Sequence, residues 1–121
     1  MKKILIVDDD AQIRGLVDVT LRSDDYQIFQ AENGEKAIEI ARAEKPDLII
    51  MDVMMPGDID GFEATCILKN DPETKSSSII ILSGKGQEAE RKKGFAADAD
   101  DYFTKPFSPL ALIKKVEEVL G

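Results

Sequence analysis

The chain has 121 residues, with 24 Asp or Glu against 16 Lys or Arg, no His, and a formal net charge of -8. That balance excludes non-specific attraction to nucleic-acid phosphates or anionic lipid and favours a protein or small-ion partner. A hydrophobic content of 43% and a length suited to one core exclude a disordered chain and a second domain, so residues 1–121 are read as one unit.

Only one cysteine is present, Cys66, so no disulfide forms within the chain. The apolar run after the initial "MKK" is too short for a signal-peptide core, and no run approaches a membrane span, so a cytoplasmic location is expected.

In chain order, "KILIV" (3–7) is a continuous apolar run that stops at three adjacent acids, Asp8, Asp9 and Asp10. "DAQIRGLVDVTLRS" (10–23) carries Ile13, Leu16, Val17, Thr20 and Leu21 at three-and-four spacing and predicts a helix, with Asp10 as its N-cap rather than a metal ligand. "YQIFQ" (26–30) reads as a second strand and "GEKAIEIARAE" (34–44) as a second helix, with Ala37, Ile38 and Ala41 on one face. "DLIIMD" (47–52) is a third strand, ending in Asp52. "GFEATCILKN" (61–70) is helical, and Cys66 within it is expected to be a buried small hydrophobe. "SIIIL" (78–82) leads to Ser83, and "DYF" (101–103) leads through Thr104 to Lys105 and Pro106. "PLALIKKVEEVL" (109–120) closes the chain as a helix, with Leu110, Ile113, Val116, Val119 and Leu120 as its stripe.

The strand runs are continuous rather than alternating, the pattern of parallel strands covered on both faces. Strands alternating with helices predict an α/β, doubly wound, five-stranded parallel sheet in the order 2-1-3-4-5, the flavodoxin-like arrangement. In that order strands one and three are neighbours. Asp8, Asp9 and Asp52 then converge at the carboxyl edge, where open α/β sheets bind ligands.

Carboxylates with no histidine or thiolate nearby select a hard divalent ion, and Mg²⁺ suits a site that keeps water and phosphate oxygens among its ligands. Ser83 and Lys105, at two further strand ends, add a hydroxyl and an ammonium for the oxygens of a transferring phosphoryl group. Asp52 is best placed as a nucleophile that becomes an acyl phosphate.

With "VDD", "DVMMP…DG", "LS" and "DDYFTKPF" in this order over essentially its whole length, the sequence resembles a CheY-like response-regulator receiver domain of two-component signalling. The resemblance implies that Asp52 accepts a phosphoryl group from a histidine kinase or histidine phosphotransfer protein. It implies Asp9 as a direct Mg²⁺ ligand, Asp8 as one acting mainly through water, and the backbone carbonyl of Met54 as a third protein ligand, with Mn²⁺ as a substitute metal. Ser83 matches the switch hydroxyl, Lys105 the phosphate-binding lysine and Tyr102 the switch aromatic, and Pro106 fits a cis peptide. The implied output is a changed surface on the helix after strand four, on strand five and on the last helix. That surface would control a downstream effector protein or an attached output domain, with no direct nucleic-acid or membrane binding.

Three departures stand out. Gly57, Asp58 and Ile59 separate Pro56 from the "DG" of Asp60 and Gly61, where the family usually has two residues; Asp58 reads as a turn residue. Gly84 replaces a common alanine, and Asp98 stands where a helix-ending glycine is usual. "RKK" (91–93) reads as a solvated helix face. The last helix offers no arginine for Asp100 or Asp101, so the paired-receiver dimer of DNA-binding regulators is not expected. Among other classes, an aspartate-nucleophile phosphatase normally carries a second Asp at the position of Met54, and a flavin carrier needs a phosphate loop where three acids stand. A degenerate receiver acting only as a docking module leaves the full acid, hydroxyl and lysine set unexplained.

Overall fold

The computed structural model describes residues 1–53, 55, 57–83, 99–104 and 108–121, with the backbone alone for Ser83 and Thr104. Along the chain run β1 (Lys2–Val7), α1 (Ala11–Leu21), β2 (Tyr26–Ala31), α2 (Gly34–Glu44), β3 (Leu48–Asp52), α3 (Gly61–Asn70), β4 (Ser78–Ser83), β5 (Asp101–Thr104) and α4 (Pro109–Leu120). The strands pair in parallel in the order β2-β1-β3-β4-β5, the predicted order. Gly84, Lys85, 91–93 and Asp98, like Met54, Pro56, Lys105 and Pro106, lie outside the described residues.

Each described helix starts where a short polar side chain takes an orphan N–H. Asp10 accepts from Gln12 (2.9 Å), Asn33 from Lys36 (2.8 Å) and Asp60 from Glu63 (2.9 Å). Ser108 takes the N–H of Ala111, and Pro109 follows it at the first helical position, where a missing N–H costs nothing. Asp10 is thus the N-cap that the sequence predicts.

Two cores lie on opposite faces of the sheet, and strand side chains alternate between them. Ile4, Ile6, Leu48, Ile50, Ile80 and Leu82 pack with Val17 and Leu21 of α1 and with Leu112 and Val116 of α4. Leu5, Val7, Ile49, Met51, Ile79, Ile81 and Tyr102 pack with Ala37 and Ala41 of α2 and with Ala64 and Leu68 of α3. Burial on both faces explains the unbroken apolar runs.

Three sequence expectations about helix faces change. Cys66 is exposed, because α3 turns Gly61, Ala64, Thr65 and Leu68 inward and position 66 falls outside that stripe. Leu16 is 49% exposed: the inward line of α1 is Ile13, Val17 and Leu21, and Leu16 sits at its edge. Leu110 is 79% exposed, because α4 buries Leu112 and Val116 and its apolar stripe begins after the first turn.

The amino ends of the strands are stitched by two aspartates. Asp47 Oδ2 accepts the Lys3 N–H (2.8 Å), and Asp100 Oδ2 accepts the Ile79 N–H (2.7 Å) while pairing with Lys69 Nζ at 2.8 Å. Asp101 pairs with Lys115 of α4 at 3.0 Å. Both acids that lacked an arginine in the sequence reading therefore have lysine partners within this chain. Among the described residues, no buried side-chain nitrogen or oxygen lacks a hydrogen bond, and no helix is long and apolar enough to cross a membrane.

Candidate functional site

β1 and β3 run side by side with Val7 opposite Met51, so the next residue of each, Asp8 and Asp52, emerges at the same edge. Both continue the side-chain alternation of Ile4–Ile6 and Leu48–Ile50 toward the face covered by α1 and α4. Asp8 is 2% and Asp52 6% exposed, whereas Asp9 is open to solvent. One carboxylate oxygen from each of the three lies within 4.8 Å of the other two.

The strand ends are held in place by local hydrogen bonds. The Asp8 N–H donates to Ala31 O (3.1 Å), extending the β1–β2 ladder by one residue. Asp8 Oδ1 accepts the Asp10 N–H (2.9 Å), which turns the chain into α1 while Asp10 caps that helix. One turn later Arg14 comes back over the same segment. Its Nη1 donates to the Asp8 carbonyl (2.7 Å) and its Nε to Gln30 Oε1 (3.1 Å), and Gln30 Nε2 in turn donates to Asp18 (2.8 Å). Arg14 was not singled out from the sequence, because its partners are a backbone carbonyl and a side chain of β2 sixteen residues away, which no local spacing reveals.

On the other side of the crevice, α3 begins against the end of β3. The Gly61 N–H donates to Val53 O (3.0 Å), and a Cβ on Gly61 would collide with the Asp52 carbonyl oxygen. The "DG" pair thus has a double physical role: Asp60 caps the helix, and Gly61 lets it start in contact with the phosphoacceptor candidate's own backbone.

The donor set fits a small hard cation. All three groups are carboxylates, the hard oxygen donors that Mg²⁺ takes, and their oxygens lie within 4.8 Å of one another. Two buried acids beside a third are costly arrangements that pairing or coordination offsets.

Of the remaining sequence-predicted residues, Ser83 ends β4, one position past the Asp52–Leu82 pairing, and its backbone pairs with that of Thr104. Lys105 follows Thr104 in the chain, and it and Met54 lie outside the described residues. Tyr102 is placed away from the acids in the α2/α3-side core, paired in register with Ile81. A shallow cleft of about 220 Å³ beside Arg14, lined also by Gln30, Ala31, Glu32 and Lys36, is smaller than ordinary cofactor pockets of roughly 300 Å³ and above.

Comparison with known proteins agrees with this arrangement. The family model described as the response regulator receiver domain matches residues 4–117. The chain is 45% identical over 118 residues to the transcriptional regulatory protein ResD of Bacillus subtilis, covering 98% of this chain but 48% of ResD. It thus spans about half the length of that relative. It is 40% identical over 121 residues to Protein PilH of Pseudomonas aeruginosa, covering 100% of this chain and 99% of PilH. Among solved structures, the chemotaxis protein CheY4 of Vibrio cholerae superposes with a TM-score of 0.92 at 33% identity, covering 99% of both chains.

Proposed function

Because the chain belongs to the response regulator receiver family, whose members are signalling switches rather than turnover enzymes, we propose that it is switched by phosphorylation of Asp52. The observation that carries this reading is the convergence of Asp8, Asp9 and Asp52 at the ends of two adjacent strands, with Ser83 ending the next strand.

In the proposed reaction a carboxylate oxygen of Asp52 attacks the phosphorus of a phosphohistidine. An O–P bond forms, the P–N bond breaks, and the donor imidazole keeps the electron pair and takes up a proton. Mg²⁺, held by the carboxylates of Asp8, Asp9 and Asp52 and by the Met54 carbonyl, would offset the negative charge that the phosphoryl oxygens bring to the crevice. The Ser83 hydroxyl and the Lys105 ammonium are the donors proposed for those oxygens. Hydrolysis of the acyl phosphate by water resets the switch.

The donor is a histidine kinase or histidine phosphotransfer protein in the cytoplasm, and the target is a downstream effector or an output domain. Residues 1–121 make up the receiver unit. Movement of the Ser83 hydroxyl toward the phosphoryl group, with a matching shift of Tyr102, would alter the surface of the segment after β4, of β5 and of α4. The net charge of -8 supports a protein target over nucleic acid or lipid.

The deciding experiment uses acetyl phosphate as donor. The parent chain is expected to gain one acid-labile phosphate by intact mass when Mg²⁺ is present and none with chelator. Asp52→Asn is expected to stay unmodified; a full phosphate on that variant overturns the assignment.

A further inference from the structure

Gly57, Asp58 and Ile59, the stretch that is one residue longer than usual in this family, are fastened at two points to the start of α2. The Asp58 N–H donates to Glu35 Oε1 at 3.0 Å. Gly57 makes the approach with φ at 111°, a conformation that favours glycine, and a Cβ there would lie 3.1 Å from Glu35 Oε2. Ile59 is half-buried against the α2/α3-side core, and its side chain fills the space where Gly34 has no Cβ: a Cβ there would sit 2.8 Å from Ile59 Cγ1. Gly34 and Glu35 are the first two residues of α2, so one helix end supplies both the notch and the carboxylate.

This stretch connects Asp52 to Gly61, and those two residues are already in backbone contact. The connection therefore starts and ends at the phosphoacceptor candidate, and between them it carries Met54, whose carbonyl is the proposed third protein ligand of the metal. We propose that Glu35 is a positioning residue for phosphoryl transfer to Asp52. Its carboxylate, with Ile59 seated at Gly34, holds the lengthened connection so that the metal site is formed before the metal arrives. The inference rests on the phosphoacceptor reading. It assigns a part in it to a side chain that touches neither metal nor phosphate.

The test compares the full parent chain with Glu35→Ala and Glu35→Gln. Glutamine loses the charge but keeps a carbonyl oxygen able to accept the Asp58 N–H, so it separates the latch from a general change in electrostatic attraction for Mg²⁺. In the metal-free proteins, amide exchange at Asp58 is expected to speed up about tenfold in Glu35→Ala and to stay near the parent in Glu35→Gln. The Mg²⁺ concentration for half-maximal phosphorylation by acetyl phosphate, and that for half the Mg²⁺-induced rise in melting temperature, are both expected to increase about three- to tenfold in Glu35→Ala and to recover in Glu35→Gln. Glu35→Gln matching Glu35→Ala would assign the effect to charge and overturn the latch, as would Glu35→Ala matching a phosphorylated parent. A parent chain that takes no phosphate at all would instead overturn the phosphoacceptor reading beneath it.

Discussion

Gly61 sits against the carbonyl of Asp52 so closely that α3 has no room for a side chain at its first residue. An added methyl would meet backbone on two sides, the Asp52 carbonyl and the Val53 Cα at 2.9 Å, and neither is a flexible end that swings away. Gly61→Ala is therefore expected to cost ~1–3 kcal/mol or more. Gly15, inside α1, has nothing within 4 Å of its Cβ position, so Gly15→Ala should stabilise by ~0.5–1 kcal/mol through helix propensity. Urea melts of the two variants should move in opposite directions, and equal shifts would refute the packing account.

Asp9 is the exposed member of the three acids and accounts for one of the charges that crowd there. Asp9→Asn should raise the melting temperature of the metal-free protein by a few degrees, the effect of ~1 kcal/mol relieved in a domain of this size. Millimolar Mg²⁺ should stabilise the parent by mass action and the variant far less. Melts with chelator and with Mg²⁺ at constant ionic strength check both halves. Equal Mg²⁺ responses would remove Asp9 from the ligand set.

Tyr102 is buried in the α2/α3-side core, so truncating it removes packing as well as any switch motion. Tyr102→Ala should cost ~3–5 kcal/mol of stability, the range for large aromatic deletions. Tyr102→Phe keeps the ring and should stay within about 1–1.5 kcal/mol of the parent. Its rate of phosphorylation by acetyl phosphate should be close to that of the parent, while the phosphorylation-induced NMR shifts along β5 and α4 should shrink. A Phe variant with parent-like shifts would leave the residue a core residue only.

Asp71, just past α3, is held below the ordinary carboxylate range, first by the Glu73 N–H (2.9 Å to Oδ1) and then by the Arg42 guanidinium (2.8 Å to Oδ2). A depressed folded-state value means that these contacts stabilise the fold at every pH above the unfolded value of about 3.9, and that this contribution is lost as pH falls through the folded value. An NMR titration of the Asp71 carboxyl carbon should show the low midpoint. Arg42→Ala should raise it only part of the way, because the backbone N–H is the larger cause. A full return to the ordinary value would reverse that order.

Much of the architecture was readable because its signals are local. α2, α3 and α4 begin and end where the cap residues and apolar spacing placed them, and the strands agree within a residue or two at each end. Asp8 and Asp52 could be brought together on paper because strand order and parallel register are nearly forced by the βα repeat. What escaped the sequence depends on partners distant along the chain. Ile59 and Asp58 are anchored by Gly34 and Glu35, more than twenty residues earlier, and Lys115 reaches Asp101 from another element. Cys66 and Leu110 were misplaced for a different reason: at about 100° per residue Cys66 lies on the far side of α3 from Ala64 and Leu68, and successive steps of three carry Leu110 about 120° round α4 from Val116, so neither shares the face that its helix buries.

The salt bridge from Lys115 to Asp101 has a further consequence at the margin of the sheet. β5 is the last strand in the order, four residues long, and the margin of a sheet is where another chain can add a strand and begin a fibre. Here that margin opens on a charged pair, and the first N–H after it, that of Tyr102, donates to Asp101 Oδ1 at 2.8 Å instead of being offered outward. A brief strand with an occupied amide and a fixed charge is a poor template for intermolecular pairing. The flank is therefore guarded against edge-to-edge association at high protein concentration.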